Sequence, residues 1–105
     1  FIMMLTNTEN IPGKNYEIIG LVTGSSVYCK HFGKDLGASF KNLVGGEMKA
    51  YQELLDQSQQ IAVNYMSEKA AQLGADAVVN IRFSSANITE GGAEVLASGT
   101  AVRFV

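Results

Sequence analysis

The sequence predicts an α+β domain with the element order β-α-α-β-β. Three observations predict it. One long stretch, Glu47 to Leu73, carries apolar residues at spacings of three and four, the period of a helix. Three shorter stretches, Tyr16–Thr23, Asp76–Ser84 and Ala93–Val105, are rich in β-branched and aromatic residues and read as strands. Glycine, proline and asparagine gather between these runs, where the chain has to turn.

The chain opens with Phe1-Ile2-Met3-Met4-Leu5 and turns polar at Thr6-Asn7-Thr8-Glu9-Asn10. Five apolar residues with no basic residue before them are too few for a secretory core, so no signal peptide is expected. Pro12 lacks an N–H and keeps its neighbourhood out of a central strand. Tyr16–Thr23 then forms the first strand, closed by Gly24-Ser25-Ser26. A shorter helix is expected over His31–Val44, with Phe32, Leu36, Phe40, Leu43 and Val44 on one side. Gly33 and Gly37 weaken it, each costing about 0.5–1 kcal/mol against alanine. Gly45-Gly46 breaks the chain before the long helix.

That helix places Met48, Tyr51, Leu54, Leu55, Ile61, Ala62, Tyr65, Met66, Ala70 and Leu73 on its apolar side. Glu47 suits the positive end of the helix dipole, and Gly74 suits the position just past the other end. A helix of this length spans roughly 40 Å, long for a domain of this size, so it protrudes or packs on more than its own sheet. Strict alternation over Asp76–Ser84 puts Ala77, Val79, Ile81 and Phe83 on one face and Val78, Asn80, Arg82 and Ser84 on the other. Ser85–Gly92 is a polar loop, and the last two strands form a hairpin. A bend or bulge is expected at Gly99.

With 105 residues, 47% hydrophobic and 17% charged, the chain makes one domain, residues 1–105, with its own core. A net charge of −2 supplies no field for nucleic acid, which is not an expected partner. No run approaches the roughly 20 apolar residues of a membrane helix, so no membrane partner is expected either. A single cysteine cannot close an internal disulfide, and a reducing, cytoplasmic location is expected. In such a compartment the acceptor pattern Asn87-Ile88-Thr89 is read as chance.

The strands are apolar on both faces. The first offers Tyr16, Ile18 and Val22 on one side and Ile19 and Leu21 on the other. The third offers Val95, Ala97 and Ala101 against Leu96, Val102 and Phe104. An antiparallel sheet with one helical cover is normally polar on its open face. Two apolar faces ask for a second cover, either a neighbouring copy or the shorter helix within one monomer.

Several short blocks occur in order along the chain: Gly20-Leu21-Val22-Thr23-Gly24, Val44-Gly45-Gly46, Tyr51, Leu73-Gly74-Ala75-Asp76-Ala77-Val78-Val79 and Ser98-Gly99-Thr100-Ala101-Val102. Together they resemble the YbjQ family of small prokaryotic proteins, described as heavy-metal-binding. The resemblance implies a subunit whose three-stranded antiparallel sheet has the strand order 1-3-2, as in dodecin-like subunits. It also implies assembly as a ring, a homopentamer, helped by short extra strands. The N-terminal segment, residues 1–10 with Met3–Leu5, is the candidate assembly strand.

The candidate metal ligands are Cys29 and His31, two residues apart, a thiolate and an imidazole suited to a divalent or heavy metal ion. Two ligands are fewer than a structural zinc site takes, and the family blocks hold no Cys or His that maps onto them. The bland alternative is a small semi-buried cysteine and a helix-starting histidine. Gly45 and Gly46, before the long helix, are an anion-binding candidate or simply a sharp turn. Asp76 reads as a local anchor at a strand entry. No nucleophile elbow, phosphate loop, HExxH or CxxC is present. The reading is a non-catalytic, homo-oligomeric binding or structural protein. The alternative is an enzyme or small-anion binder whose composite site joins Asp76, Tyr51 or Thr23 from different subunits.

Overall fold

The structure is a computed structural model that describes residues 3–29, 46–89 and 92–105. They form β1 (Met4–Leu5), β2 (Tyr16–Cys29), α1 (Gly46–Gln72), β3 (Ala77–Thr89) and β4 (Gly92–Phe104). The four strands make one sheet in the order β1-β3-β4-β2. β1 runs parallel to β3, and the other two pairs are antiparallel.

This corrects the expected β-α-α-β-β subunit with a three-stranded antiparallel sheet. The described residues are β-α-β-β with a four-stranded mixed sheet. The helix expected over His31–Val44 lies outside the described residues. The added strand has a physical cause. Without it, the first half of β3 would leave its outer backbone groups unpaired. Met4 and Leu5 stand in register with Ala77 and Val78. Beyond them, the Thr6 N–H donates to the Val78 carbonyl (3.0 Å), Asn80 to Thr8 (2.8 Å) and Ile81 to Thr6 (3.1 Å).

α1 ends as its sequence predicts. Gly74 takes a φ of +83°, which costs glycine little. The Gly74 N–H donates to the Ala71 carbonyl and the Ala75 N–H to the Ala70 carbonyl, both at 3.0 Å, closing the helix with a Schellman pair. The chain then enters β3 at Asp76, whose backbone N–H donates to the Val102 carbonyl (2.9 Å). Its Oδ2 accepts the Phe104 N–H at 2.9 Å. A single carboxylate thus ties the start of β3 to the end of β4.

The strand registers shift at three places, and two of the shifts, in β3 at Asn80 and in β2 near Ile19, reset which side chains face which way. In β3 the register shifts between Val79 and Arg82, at Asn80, whose φ is +55°. Val79 joins one core with Ile11, Ala77 and Val102, while Ile81 joins the other with Ala62, Met66 and Val78. The expected alternation through Ala77, Val79, Ile81 and Phe83 therefore breaks, because a bulge residue shifts the pleat by one. In β2 the shift falls between Ile18 and Gly20. Ile19 and Val22 face the helix, and Tyr16 packs on the opposite core. The irregularity expected at Gly99 is there, but the extra residue is on the facing strand: Asn80 and Ile81 of β3 stand against Gly99 alone, while the β2–β4 register runs straight through it.

The main core lies between sheet and helix. Val22, Val78, Ile81, Val95, Ala97 and Ala101 meet Ala62, Met66 and Ala70. The approach is close because the contact residues are small. A Cβ on Gly24 would lie 2.5 Å from the Met66 nitrogen and against the Ala62 carbonyl. A Cβ on Gly99 would lie 2.6 Å from Val78 Cγ1. On the far face, the chain's own N-terminal segment lays Ile11 over Ala77, Val79 and Val102, with Tyr16 and Phe104 at the margin. Ile18 (72%), Leu21 (74%) and Val27 (58%) are exposed along β2. The Cα radius of gyration is 16.8 Å, against roughly 13 Å for a compact chain of this length, so the molecule is elongated. No helix among the described residues is long and apolar enough to cross a membrane.

Two substitutions test this architecture. Gly24→Ala should destabilise the fold by about 2–3 kcal/mol, the upper range for overpacking, because the new methyl meets helix backbone rather than a mobile side chain. Asp76→Ala should cost about 1–3 kcal/mol through the unpaired Phe104 N–H. Urea unfolding followed by circular dichroism measures both; an unchanged midpoint for either would show that its contact contributes nothing.

Candidate functional site

The sequence-derived candidates do not converge within one chain. Cys29 is the last residue of β2 and stands in register with Gly92 of β4. β2 therefore runs six residues past the expected end at Thr23, which carries Cys29 onto the sheet rather than into a loop. His31 and Gly45 lie outside the described residues, and Gly46 is the first residue of α1. Thr23 sits mid-strand opposite Ser98. Asp76 is at the other end of the sheet, where its carboxylate is occupied by the Phe104 N–H. Tyr51 lies in the second turn of α1.

Soft-metal binding asks for three or four converging thiolate, imidazole or carboxylate groups. Among the described residues, no three of His, Cys, Asp and Glu are placed to hold an ion. The described part of a single chain therefore does not itself furnish such a centre, and no chemistry is derived through a metal here.

A concavity lined by described residues lies between β2 and α1. It measures about 410 Å³, and its walls include Ser25, Ser26, Leu54, Gln57, Ser58 and Tyr65. α1 crosses β2 closely at Gly24, where a Cβ would meet the backbone of Ala62 and Met66. The wedge between them is the groove. Ser58 is buried, and its hydroxyl donates to the Leu54 carbonyl one turn back (3.0 Å), so it is held within the helix. Ser25 is exposed and Ser26 half-buried at the strand wall. Hydroxyls, one amide and aliphatic walls suit binding. They include no carboxylate, imidazole or amine to act as a general base. The sequence reading puts Leu54 and Tyr65 on the apolar side of the helix but takes Ser25 and Ser26 for the turn that closes the strand, so it does not bring the two walls together. Ser58 inside an otherwise apolar stripe is the signal that marks this wall.

Comparison with known proteins places this geometry. A family model described as "Putative heavy-metal-binding" matches residues 3–105. A UPF0145 protein of Thermosipho africanus is 51% identical over 103 residues, covering 97% of this chain and 95% of the relative. A UPF0145 protein of Clostridium novyi is 50% identical over 103 residues, covering 98% and 100%. One from Clostridioides difficile is 52% identical over 101 residues, covering 95% and 90%. That shared name assigns no catalytic activity. The crystal structure of a protein of unknown function from Pediococcus pentosaceus, of the DUF74 family, superposes with a TM-score of 0.68 over 98% of both chains. At 17% identity that likeness shows the fold alone. With a matching model along nearly its whole length and relatives at half identity, the chain belongs to the YbjQ family that its sequence blocks resemble.

Proposed function

We propose that the chain is a non-catalytic binding protein that works as a homo-oligomer in the cytoplasm. The observation that carries this reading is the state of β2. It is a 14-residue strand at the edge of the sheet, with Leu21 and Val27 exposed on its face. Long, flat, apolar edges invite pairing, and monomers usually blunt them with charge, proline or a cover. From Ile18 to Cys29, β2 carries no charged residue and no proline. A second copy satisfies both its free backbone groups and its apolar side chains, and closed symmetric assemblies are the common outcome. Five copies is the number implied by the family resemblance.

Binding is the role that the β2–α1 groove supports, with hydroxyl and amide groups and no acid–base pair on its walls. The heavy-metal description of the family enters as the ligand class to test, with Cys29 and His31 as the pair. In an assembly, several copies of Cys29 at the ends of edge strands supply the ligand number that one chain lacks.

Light scattering on the eluting protein should give about 56 kDa, five times the 11.2 kDa chain. A Leu21→Asp, Val27→Asp variant should shift to smaller species while keeping its circular dichroism. A wild-type protein that elutes as a single 11.2 kDa species at micromolar concentration would remove the assembly. Isothermal titration with zinc and cadmium should show at least tenfold weaker binding in a Cys29→Ala, His31→Ala variant. Equal binding by the two proteins would take this pair out of the site.

A further inference from the structure

Beyond β1 the sheet has a second edge. β1 and the segment after it bond to β3 only as far as Ile81, and Arg82 Nη1 donates to the Asn7 carbonyl at 3.0 Å. From Phe83 to Thr89, β3 pairs with β4 alone among the described residues. Phe83 stands in register with Ala97, a residue of the main core, so its ring points to the helix side of the sheet. α1 packs chiefly on β2 and β4, and Phe83 is left 50% exposed. A large aromatic ring half in water beside an edge without a neighbouring strand is the kind of side chain that interfaces bury.

The β2–α1 groove opens at the other edge, on the same side of the sheet. Ile61 and Tyr65, one turn apart on α1, are exposed along its helix wall, with Leu54 beside them. No charged residue lines the groove, and its 410 Å³ admits an aromatic ring. The flanking charges are of opposite sign. Glu68 is exposed one turn past Tyr65, and Arg82, the one charged residue of β3, precedes Phe83. A two-fold contact of β2 with β2 would leave Phe83 of both copies in water. A head-to-tail contact covers both apolar patches with one repeating interface.

Building on the assembly proposed above, we infer that the copies join head to tail, with Phe83 of the partner subunit seated in the β2–α1 groove against Ile61 and Tyr65. Each chain offers a socket at one edge of its sheet and a plug at the other. The groove is then complete only between two copies, and a ligand bound in it touches both.

Complementation tests this, read by size-exclusion chromatography with light scattering on the full-length chain. Phe83→Asp removes the plug, and Ile61→Asp, Tyr65→Asp removes the socket. All three side chains are exposed, so both variants should keep the circular dichroism of the wild type while running as the 11.2 kDa chain. Phe83→Ala, which introduces no charge, should weaken self-association at least tenfold. Mixed in equal amounts, the plug and socket variants should give a heterodimer of about 22 kDa, twice the 11.2 kDa chain, because one intact plug meets one intact socket. A monomeric wild type would remove the assembly and this contact together. A wild-type oligomer whose size survives Phe83→Asp and Phe83→Ala would overturn the contact alone, leaving assembly to β2 by itself and the groove to a free ligand. Two monomeric variants that fail to combine on mixing would overturn it as well, since a two-fold contact gives no complementation.

Discussion

The bulge at Asn80 decides how the two faces of this sheet are populated. β3 enters the sheet with Ala77 and Val79 turned away from the helix and leaves the bulge with Ile81 turned toward it. Val78, before the bulge, already faces the helix, and the left-handed residue keeps Ile81 on that side where strict alternation would turn it away. The N-terminal segment holds that residue, because the Asn80 N–H and the Ile81 N–H both donate to it, at Thr8 and Thr6. The same segment places Ile11 over Ala77, Val79 and Val102. Strand pairing, bulge and far-face core are thus one mutually dependent unit. If the N-terminal segment were pulled away, two buried N–H groups and an apolar cluster would be exposed together.

The opposite face obeys a different constraint, closeness. Gly24, Ala62, Ala97 and Ala101 leave no bulk between α1 and the sheet. The helix is therefore pinned against the middle of β2 at Gly24. Asp76 fixes the exit from the helix in turn, since it follows the Schellman pair by one residue and ties β3 to β4. The two ends of the molecule differ in consequence. The end near Asp76 is knitted by main-chain and carboxylate bonds, and the end near Cys29 rests on strand pairing and on the packing of Ala93 and Val95 into the main core.

The parts legible in the sequence are those with a long repeating signal. α1 is readable because its apolar spacing persists over seven turns, and its stop is readable because Gly74 offers a φ that other residues resist. The family is readable because four ordered blocks together carry more information than any one of them. β1 is not readable. Two residues have no period, and their parallel partner lies at the far end of the chain. The faces of β2 and β3 are misread for a related reason. Counting by twos holds only until a bulge, and Asn80 and the Ile18–Gly20 step are where the count fails. Asparagine inside an apolar strand was the available hint, since it tolerates the left-handed region better than its neighbours Val79 and Ile81. Of the candidate site, Cys29 is placed but unaccompanied among the described residues, and the groove arises from a crossing that no local pattern encodes.

The proposed assembly turns on the backbone of β2 more than on its side chains. Burying Leu21, Val27 and Ile18 contributes about 1.5–3 kcal/mol each at most. Bringing two copies together costs on the order of 4–15 kcal/mol in lost freedom. Three aliphatic side chains are of the same order as that cost and set no register between copies. The N–H and C=O groups along a 14-residue edge, which pair with no other strand among the described residues, supply what is lacking, since each new ladder bond adds about 0.5–1.5 kcal/mol and fixes direction as well. A neighbour that pairs with this edge would place its own strand beside Cys29 and over the rim of the β2–α1 groove. Assembly and ligand binding would then share a boundary, so changes at Leu21 or Val27 would reach the groove even though Leu21 does not line it.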